Sequence, residues 1–282
     1  MPRKAYRPRA TLRSGRSRAF PRANFPERAF AHLGRRQLSS KDMEHSRSQT
    51  ANPIRNKFLE AVVGLKPQVA AFDCDGTLWS GDAGERFFDW EIEQGVVPAE
   101  LGQAMRERYV EYKAGRISEE GMCGEMVTMH KGLTEAAMMK AASDFMTHAF
   151  PGHIFPEMQE LVERLQENGC EIWAVSSSNE WVIRAGMKAF GIPADRILAT
   201  KVELENGTIT DRLVRVPSGP GKPKALREVV SKDIDAVFGN SRWDADMLMI
   251  ARHAFAVNPN PDLEVVARER GWTIYFPDGT RE

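Results

Sequence analysis

Residues 69–79 read VAAFDCDGTLW. The apolar run of residues 69–72 ends abruptly in Asp73, Cys74, Asp75, Gly76 and Thr77. A short apolar run of this kind reads as a buried strand. A buried strand has no use for two carboxylates at its end unless something there needs their charge. In an extended chain residues two apart point the same way, so Asp73 and Asp75 can face one point together. Gly76 then lets the backbone turn sharply. The carboxyl end of an apolar strand is where open α/β sheets place their ligands. Two like charges this close repel, and they invite a cation or a shared proton. Mg²⁺ suits hard carboxylate oxygens and keeps waters of its own.

Outward from this stretch the pattern is helical on one side and alternating on the other. Before it, apolar residues at 54, 58, 59, 62 and 63 suit a short amphipathic helix over 54–65, stopped by Pro67. After Trp79 comes the polar segment SGDAGE, and then helices are expected over 85–94, 98–113, 118–130 and 134–148, with Ser118 and Thr134 as N-caps. Met105, Met122, Met126, Met129, Met138, Met139 and Met146 recur at helical spacings and read as core filling. No strand-like run interrupts this block, which reads as an all-α insertion. Helices over 154–168, 180–190, 222–231, 244–252 and 262–270 then alternate with strands over 171–175, 197–200, 236–238, 253–257 and 273–276. A hairpin is expected from 202 to 210, with Asn206-Gly207 as its turn. Strands alternating with helices indicate an α/β fold with a doubly wound parallel sheet, covered on both faces.

Three more strand or loop ends carry polar residues. Residues 172–175 run into Ser176, Ser177, Ser178 and Asn179. A strand-end hydroxyl can donate to an anion, and the N–H groups at the next helix start favour one. The competing reading, preferred for Ser178 and Asn179, is that they cap that helix. Lys222 stands at a predicted helix start, where its charge can offset a carboxylate cluster. Residues 238–244, FGNSRWD, place Asn240 and Asp244 at the end of another strand. Asn240 offers an uncharged oxygen; Asp244 offers a carboxylate or a helix cap.

These four segments, in this order, resemble the motifs of the haloacid dehalogenase-like superfamily, in which D-x-D-G-T follows the first strand. The resemblance spans residues 69–260 and implies its Rossmannoid core with an inserted all-α cap. It implies that Asp73 is the nucleophile and Asp75 the general acid/base. It implies that Lys222, followed four residues later by Leu226, is the motif lysine, and that Thr77, Ser176 and Ser177 serve the phosphoryl group or orient the acids. Mg²⁺ would be held by Asp73, the carbonyl of Asp75, and Asn240 or Asp244; Asn240 departs from the usual Asp. An Asp at position 75 is the phosphatase pattern, because a departing alkoxide needs a proton and a halide does not. The helical insertion and the hairpin are similar to those of the phosphoserine phosphatase-like branch, where Asp82 would stand for a Glu that contacts the substrate amine. Two features depart from that branch. Residues 176–178 read SSS rather than S-G-G, and Gly124 falls where the branch has a carboxylate-binding Arg, with Arg116 and Arg106 as candidate replacements.

The expected activity is therefore Mg²⁺-dependent hydrolysis of a small phosphomonoester through an aspartyl-phosphate, with phosphoserine a candidate substrate. The alternatives are another phosphomonoester, such as a phosphorylated amino alcohol, or a degenerate domain that binds phosphate without turnover. Domain boundaries are expected at 1–50 for a basic leader, 51–81 and 150–282 for the core, and 82–149 for the cap.

Composition bounds the rest. Among 282 residues, 42% are hydrophobic and 28% charged, which is ordinary for a globular protein. No run reaches the roughly 18 apolar residues of a membrane span, so no membrane partner is expected. Three scattered cysteines make neither a disulfide framework nor a metal spacing. Residues 1–50 hold thirteen Lys/Arg against three Asp/Glu, a balance of +10 that leaves the neutral chain's remainder at −10. This leader reads as disordered. Its other readings are a transit peptide, a nucleic-acid-binding arm without a folded module, and an extension ahead of a start at Met43. The expected partners are a small phosphorylated metabolite and no nucleic acid, for a cytoplasmic monomer or homodimer, organellar if residues 1–42 are a transit peptide.

Overall fold

The computed structural model describes residues 52–280, so the reading of residues 1–50 lies outside the described residues. Helix α1 (Pro53–Gly64) leads into β1 (Val69–Phe72), and four helices follow: α2 (Ala83–Glu93), α3 (Ala99–Lys113), α4 (Glu119–Thr128) and α5 (Glu135–His148). The chain returns through α6 (Pro156–Glu167), β2 (Glu171–Asn179), α7 (Glu180–Met187), β3 (Ile197–Glu205) and β4 (Thr208–Arg215). It finishes with α8 (Gly221–Val229), β5 (Ala236–Gly239), α9 (Ala245–Leu248), β6 (His253–Val257), α10 (Pro261–Arg270) and β7 (Thr273–Tyr275). The seven strands form one sheet in the order β4-β3-β2-β1-β5-β6-β7. Every neighbouring pair is parallel except β3 and β4, which form an antiparallel hairpin.

Alternation along β1 explains why its whole length is apolar. Ala70 and Phe72 join one core with Ile172, Ala174 and Phe238, while Val69 and Ala71 join the other with Trp173, Val175 and Val237. Both faces of the sheet are therefore covered, as a parallel sheet requires. The strand order reverses at β1, which has β2 on one side and β5 on the other. The carboxyl ends of these three strands meet at that switch point.

The helical block has two sets of packing partners. Met105 and Met122 form a small cluster with Phe88, against which Met126 and Met129 also pack. Met138 belongs instead to the main core, with Met139 and Met146 packed against it. Ser118 and Thr134 cap their helices, each accepting from the backbone N–H three residues on.

Several boundaries differ from the sequence reading. β2 continues through the serine run to Asn179 rather than ending at residue 175. The reason is β3: Asn179 pairs with Thr200 after a register shift, and the Thr200 hydroxyl donates to the Ser177 carbonyl at 2.6 Å. Residues 197–205 make one strand, and β4 runs on to Arg215. Asn206 and Gly207 do turn the hairpin, both at positive φ, 51° and 77°. Residues 244–252 do not make one helix. A tight turn over Arg242–Asp244, fixed by reciprocal bonds between Ser241 and Asp244, precedes the single turn of α9. By Arg252 the chain is already committed to the sheet, its N–H donating to the Ile234 carbonyl at 3.1 Å.

Candidate active site

The two aspartates stand where the sheet order reverses. The Asp73 N–H extends the β1–β5 ladder, donating to the Phe238 carbonyl at 2.9 Å. Gly76 follows at φ +78°, and a Cβ there would lie 1.8 Å from Asn240 Nδ2. Only glycine lets the β1 loop and the β5 loop approach this closely.

Asp73 is buried. Its Oδ2 accepts from the Thr77 hydroxyl at 2.8 Å and its Oδ1 from Lys222 Nζ at 2.7 Å. The same ammonium donates to Asp244 Oδ1 at 2.5 Å, so Lys222 bridges carboxylates from the loops that follow two different strands. Lys222 is 2% exposed and Asp244 is completely buried. Burial would push the lysine down; the charges of Asp244 and Asp73 outweigh it and hold the ammonium above the ordinary lysine range. Burial, then the Asp244 charge, push Asp73 up to about 7 against the pull of Lys222.

Asp75 is held from four directions. Its Oδ1 accepts from Trp79 Nε1 at 2.8 Å and from the Ala83 N–H at 2.6 Å. Its Oδ2 accepts from the Ser178 hydroxyl at 2.7 Å and, weakly, from that of Ser176 at 3.5 Å. Burial, then the charge of Asp82, push Asp75 up to about 7 despite these donors. Asp73, Asp75, Asp82, Ser177, Lys222 and Asn240 share one cleft of about 500 Å³.

Residues 70–249 match the sequence profile of the haloacid dehalogenase-like hydrolases. The chain belongs to that family. Within it, a histidinol-phosphatase from Neisseria meningitidis is 26% identical over 217 residues, spanning 73% of this chain and 97% of that one. A protein of unknown function from Bordetella pertussis shares the fold at a TM-score of 0.65 and 21% identity, over 73% of this chain and 97% of that one. A phospho-aspartyl intermediate analogue of phosphoserine phosphatase shares it at a TM-score of 0.50 and 16% identity, over 74% and 92%.

For a haloacid dehalogenase-like hydrolase, three of the expected site residues lie buried with their side chains spent on neighbouring groups. Thr77 is fully buried and its hydroxyl serves Asp73. Ser176 is buried too, its Oγ accepting from the Ser178 N–H at 3.1 Å. Asp244 spends both oxygens inside the protein: Oδ2 accepts from the N–H groups of Asn240 and Ser241 at 3.0 and 2.9 Å and from the Ser241 hydroxyl at 3.1 Å. It anchors Lys222 and the β5 loop. Asn179 caps α7, accepting from the Val182 N–H at 2.9 Å. Asp82 caps α2, accepting from the Glu85 N–H at 2.8 Å, and also lines the cleft.

Sequence reasoning missed Ser178 as a partner of Asp75. The signal was present: Ser176 and Ser178 are two apart on an extended strand and so share a side. Trp79, which donates to Asp75, was missed as well, as were Glu119 and Tyr112, which line the cleft from the helical block and carry no local mark of that place in the sequence.

The donor set suits a hard cation. Among the described residues no three His, Cys, Asp or Glu side chains converge as a metal cage. Beside Lys222 the cleft instead offers the Asp73 and Asp75 carboxylates and the Asn240 amide, with the buried carboxyl of Asp73 only partly compensated by the lysine. Mg²⁺ is characteristically held by one or two carboxylates, with waters and substrate phosphate completing its shell.

Proposed function

We propose that this chain is a Mg²⁺-dependent phosphomonoester hydrolase acting through an aspartyl-phosphate at Asp73. The single observation that carries the reading is the arrangement of Asp73 and Asp75 in one cleft, with Lys222 tying Asp73 to Asp244. Asp73 attacks phosphorus, the alkoxide leaves, and Asp75 gives that alkoxide its proton. Asp75 then takes a proton from the water that releases phosphate. Thr77 and Lys222 fix the attacking carboxylate; Ser178, Trp79 and the Ala83 N–H fix Asp75. Asp73, the Asp75 carbonyl and Asn240 would hold the ion, with Asp244 steadying the loop behind them. Bound there, Mg²⁺ would offset repulsion between the carboxylate and the phosphate dianion.

The helices that follow Ala83 act as a cap over a small soluble substrate. Phosphoserine and amino-alcohol phosphates are the substrate classes that the relatives' names suggest. The intact Asp73, Asp75 and Lys222 favour turnover over a degenerate phosphate-binding role.

Turnover of p-nitrophenyl phosphate with and without Mg²⁺ tests the reading. The ion is expected to be required, and Asp73→Asn is expected to lose at least about a thousandfold in kcat/KM. A mutant at the wild-type rate overturns the nucleophile assignment.

A further inference from the structure

We propose that the cleft selects a phosphomonoester whose alcohol part carries an ammonium or similar cation and lacks a carboxylate. The inference rests on the phosphatase reading of the same cleft and adds the charge of the leaving group. Beyond the catalytic aspartates, the wall of the cleft is formed by Asp82, Glu85, Tyr112 and Glu119. A narrow extension of about 50 Å³ continues past these residues to Tyr109 and Cys123. Three carboxylates and two phenol rings thus border the space left for the alcohol once phosphorus lies at Asp73.

Among the described residues no Lys or Arg side chain lines that wall, and the one basic group paired with it is Lys113, on Glu85. Lys222 is the one Lys or Arg among the described residues lining the cleft, and it is held between Asp73 and Asp244. The arginines of α3 and the loop after it are turned to other partners: Arg106 to Asp89, Arg108 to Glu125 and Arg116 to Glu111. None of the three lines the cleft or its extension. Gly124 packs toward β4, where even a Cβ would come within 2.9 Å of Leu213 Cδ1. A substrate carboxylate would therefore meet three carboxylates, of which Glu85 alone is paired with a basic side chain.

An independent observation shows that this wall holds an ammonium. Lys113 Nζ lies 4.9 Å from the ring centre of Tyr109, 5.7 Å from that of Tyr112, and 3.6 Å from Glu85 Oε2. Carboxylate and ring face together attract a cation. Lys113 itself lines neither the cleft nor its extension. Inside the cleft, Glu119 and Tyr112 present the same pair of groups, Glu119 accepting from the Tyr112 hydroxyl and, at 3.4 Å, from that of Ser177. A substrate ammonium beside Glu119 completes the arrangement on the inner side.

Phosphate release by the full-length Mg²⁺-loaded protein tests this with four probes. O-phosphoethanolamine carries only an ammonium, phosphoglycolate only a carboxylate, O-phosphoserine both, and p-nitrophenyl phosphate neither. The expected kcat/KM for phosphoethanolamine exceeds that for phosphoglycolate by about a hundredfold, with phosphoserine between them. Glu119→Gln is expected to shrink that ratio by about tenfold. Glu85→Gln gives the same reading should the first variant fail to fold. Turnover of p-nitrophenyl phosphate with a phosphoethanolamine-to-phosphoglycolate ratio near one overturns the charge selection and leaves the phosphatase reading standing. A ratio unmoved in the folded variants does the same. No release from any of the four overturns the phosphatase reading, and the charge selection falls with it.

Discussion

Lys222 is buried, and so are both carboxylates it touches. Removing one member of such a group leaves the others uncompensated, which typically costs about 3–5 kcal/mol. Lys222→Met is expected to lose that much in urea denaturation at pH 8 without metal. Adding Asp244→Asn removes one orphaned charge and should restore part of the loss. A double variant no more stable than the single one would mean that Asp244 is not what Lys222 neutralises. The same buried charge sets the response to pH and metal. Asp73 and Asp75 are both pushed up to about 7, so the folded state holds protons that the unfolded chain gives up near 4. Their favourable contribution is complete below the unfolded value and fades as pH rises through about 7. A divalent cation bound there would replace those protons. Mg²⁺ at a hundredfold excess over its Kd should raise Tm by about 5–10 °C, and the gain should be larger at pH 8 than at pH 5. An equal gain at both values would place the ion away from these carboxyls.

At the scale of elements, the helical block is joined to the core by two crossings that touch each other. The Ser80 N–H donates to the His153 carbonyl at 2.8 Å, and the Phe155 N–H to the Leu78 carbonyl at 3.1 Å. His153 adds a proton-sensitive contact. Its Nε2 lies 2.8 Å from Arg86 Nη1 and its Nδ1 2.9 Å from the Ser80 hydroxyl. A guanidinium can only donate, so Nε2 accepts and the neutral ring carries its proton on Nδ1. Burial, then the Arg86 charge, hold the imidazole below its ordinary range. The contact is therefore complete above the ordinary histidine value and is lost as pH falls through the lowered one. Protection factors of the amides at residues 80–86 and 150–155, corrected for intrinsic exchange, are expected to fall as pH drops below the ordinary histidine range. His153→Gln should abolish that dependence, and wild-type protection factors flat with pH would remove His153 from the crossing. Element types were legible in the sequence because each strand is an apolar run closed by Gly or polar residues, as at Phe72–Asp73 and Phe238–Gly239. Exact ends were not, because they depend on neighbours. Thr200 draws the serine run into β2, and Ser241 tightens the turn before α9. The aspartates and Lys222 were legible for the same local reason. Glu119 and Tyr112 were not, since only the packing of α4 on β2, and of α3 on α4, brings them to the cleft.

For the molecule as a whole, the question is how much of the chain the chemistry needs. Every side chain described in the cleft lies between Asp73 and Asn260. The helices and strands that carry them bury their apolar faces against one another within residues 52–280. Residues 1–50 carry the basic excess of +10, opposite in sign to the remainder. That charge acts on encounter: over distances beyond about 10 Å it is screened at ordinary ionic strength, and it changes arrival rates before it changes bound chemistry. Deleting residues 1–42, so that the chain starts at Met43, is accordingly expected to leave kcat for p-nitrophenyl phosphate within about twofold at 0.15 M salt. Any difference should sit in kcat/KM, should be largest below about 0.02 M salt, and should vanish as salt is raised. A fall in kcat at saturating substrate that persists in high salt would mean that the leader contributes to the site itself, and that the cleft formed by residues 73–260 is incomplete without it.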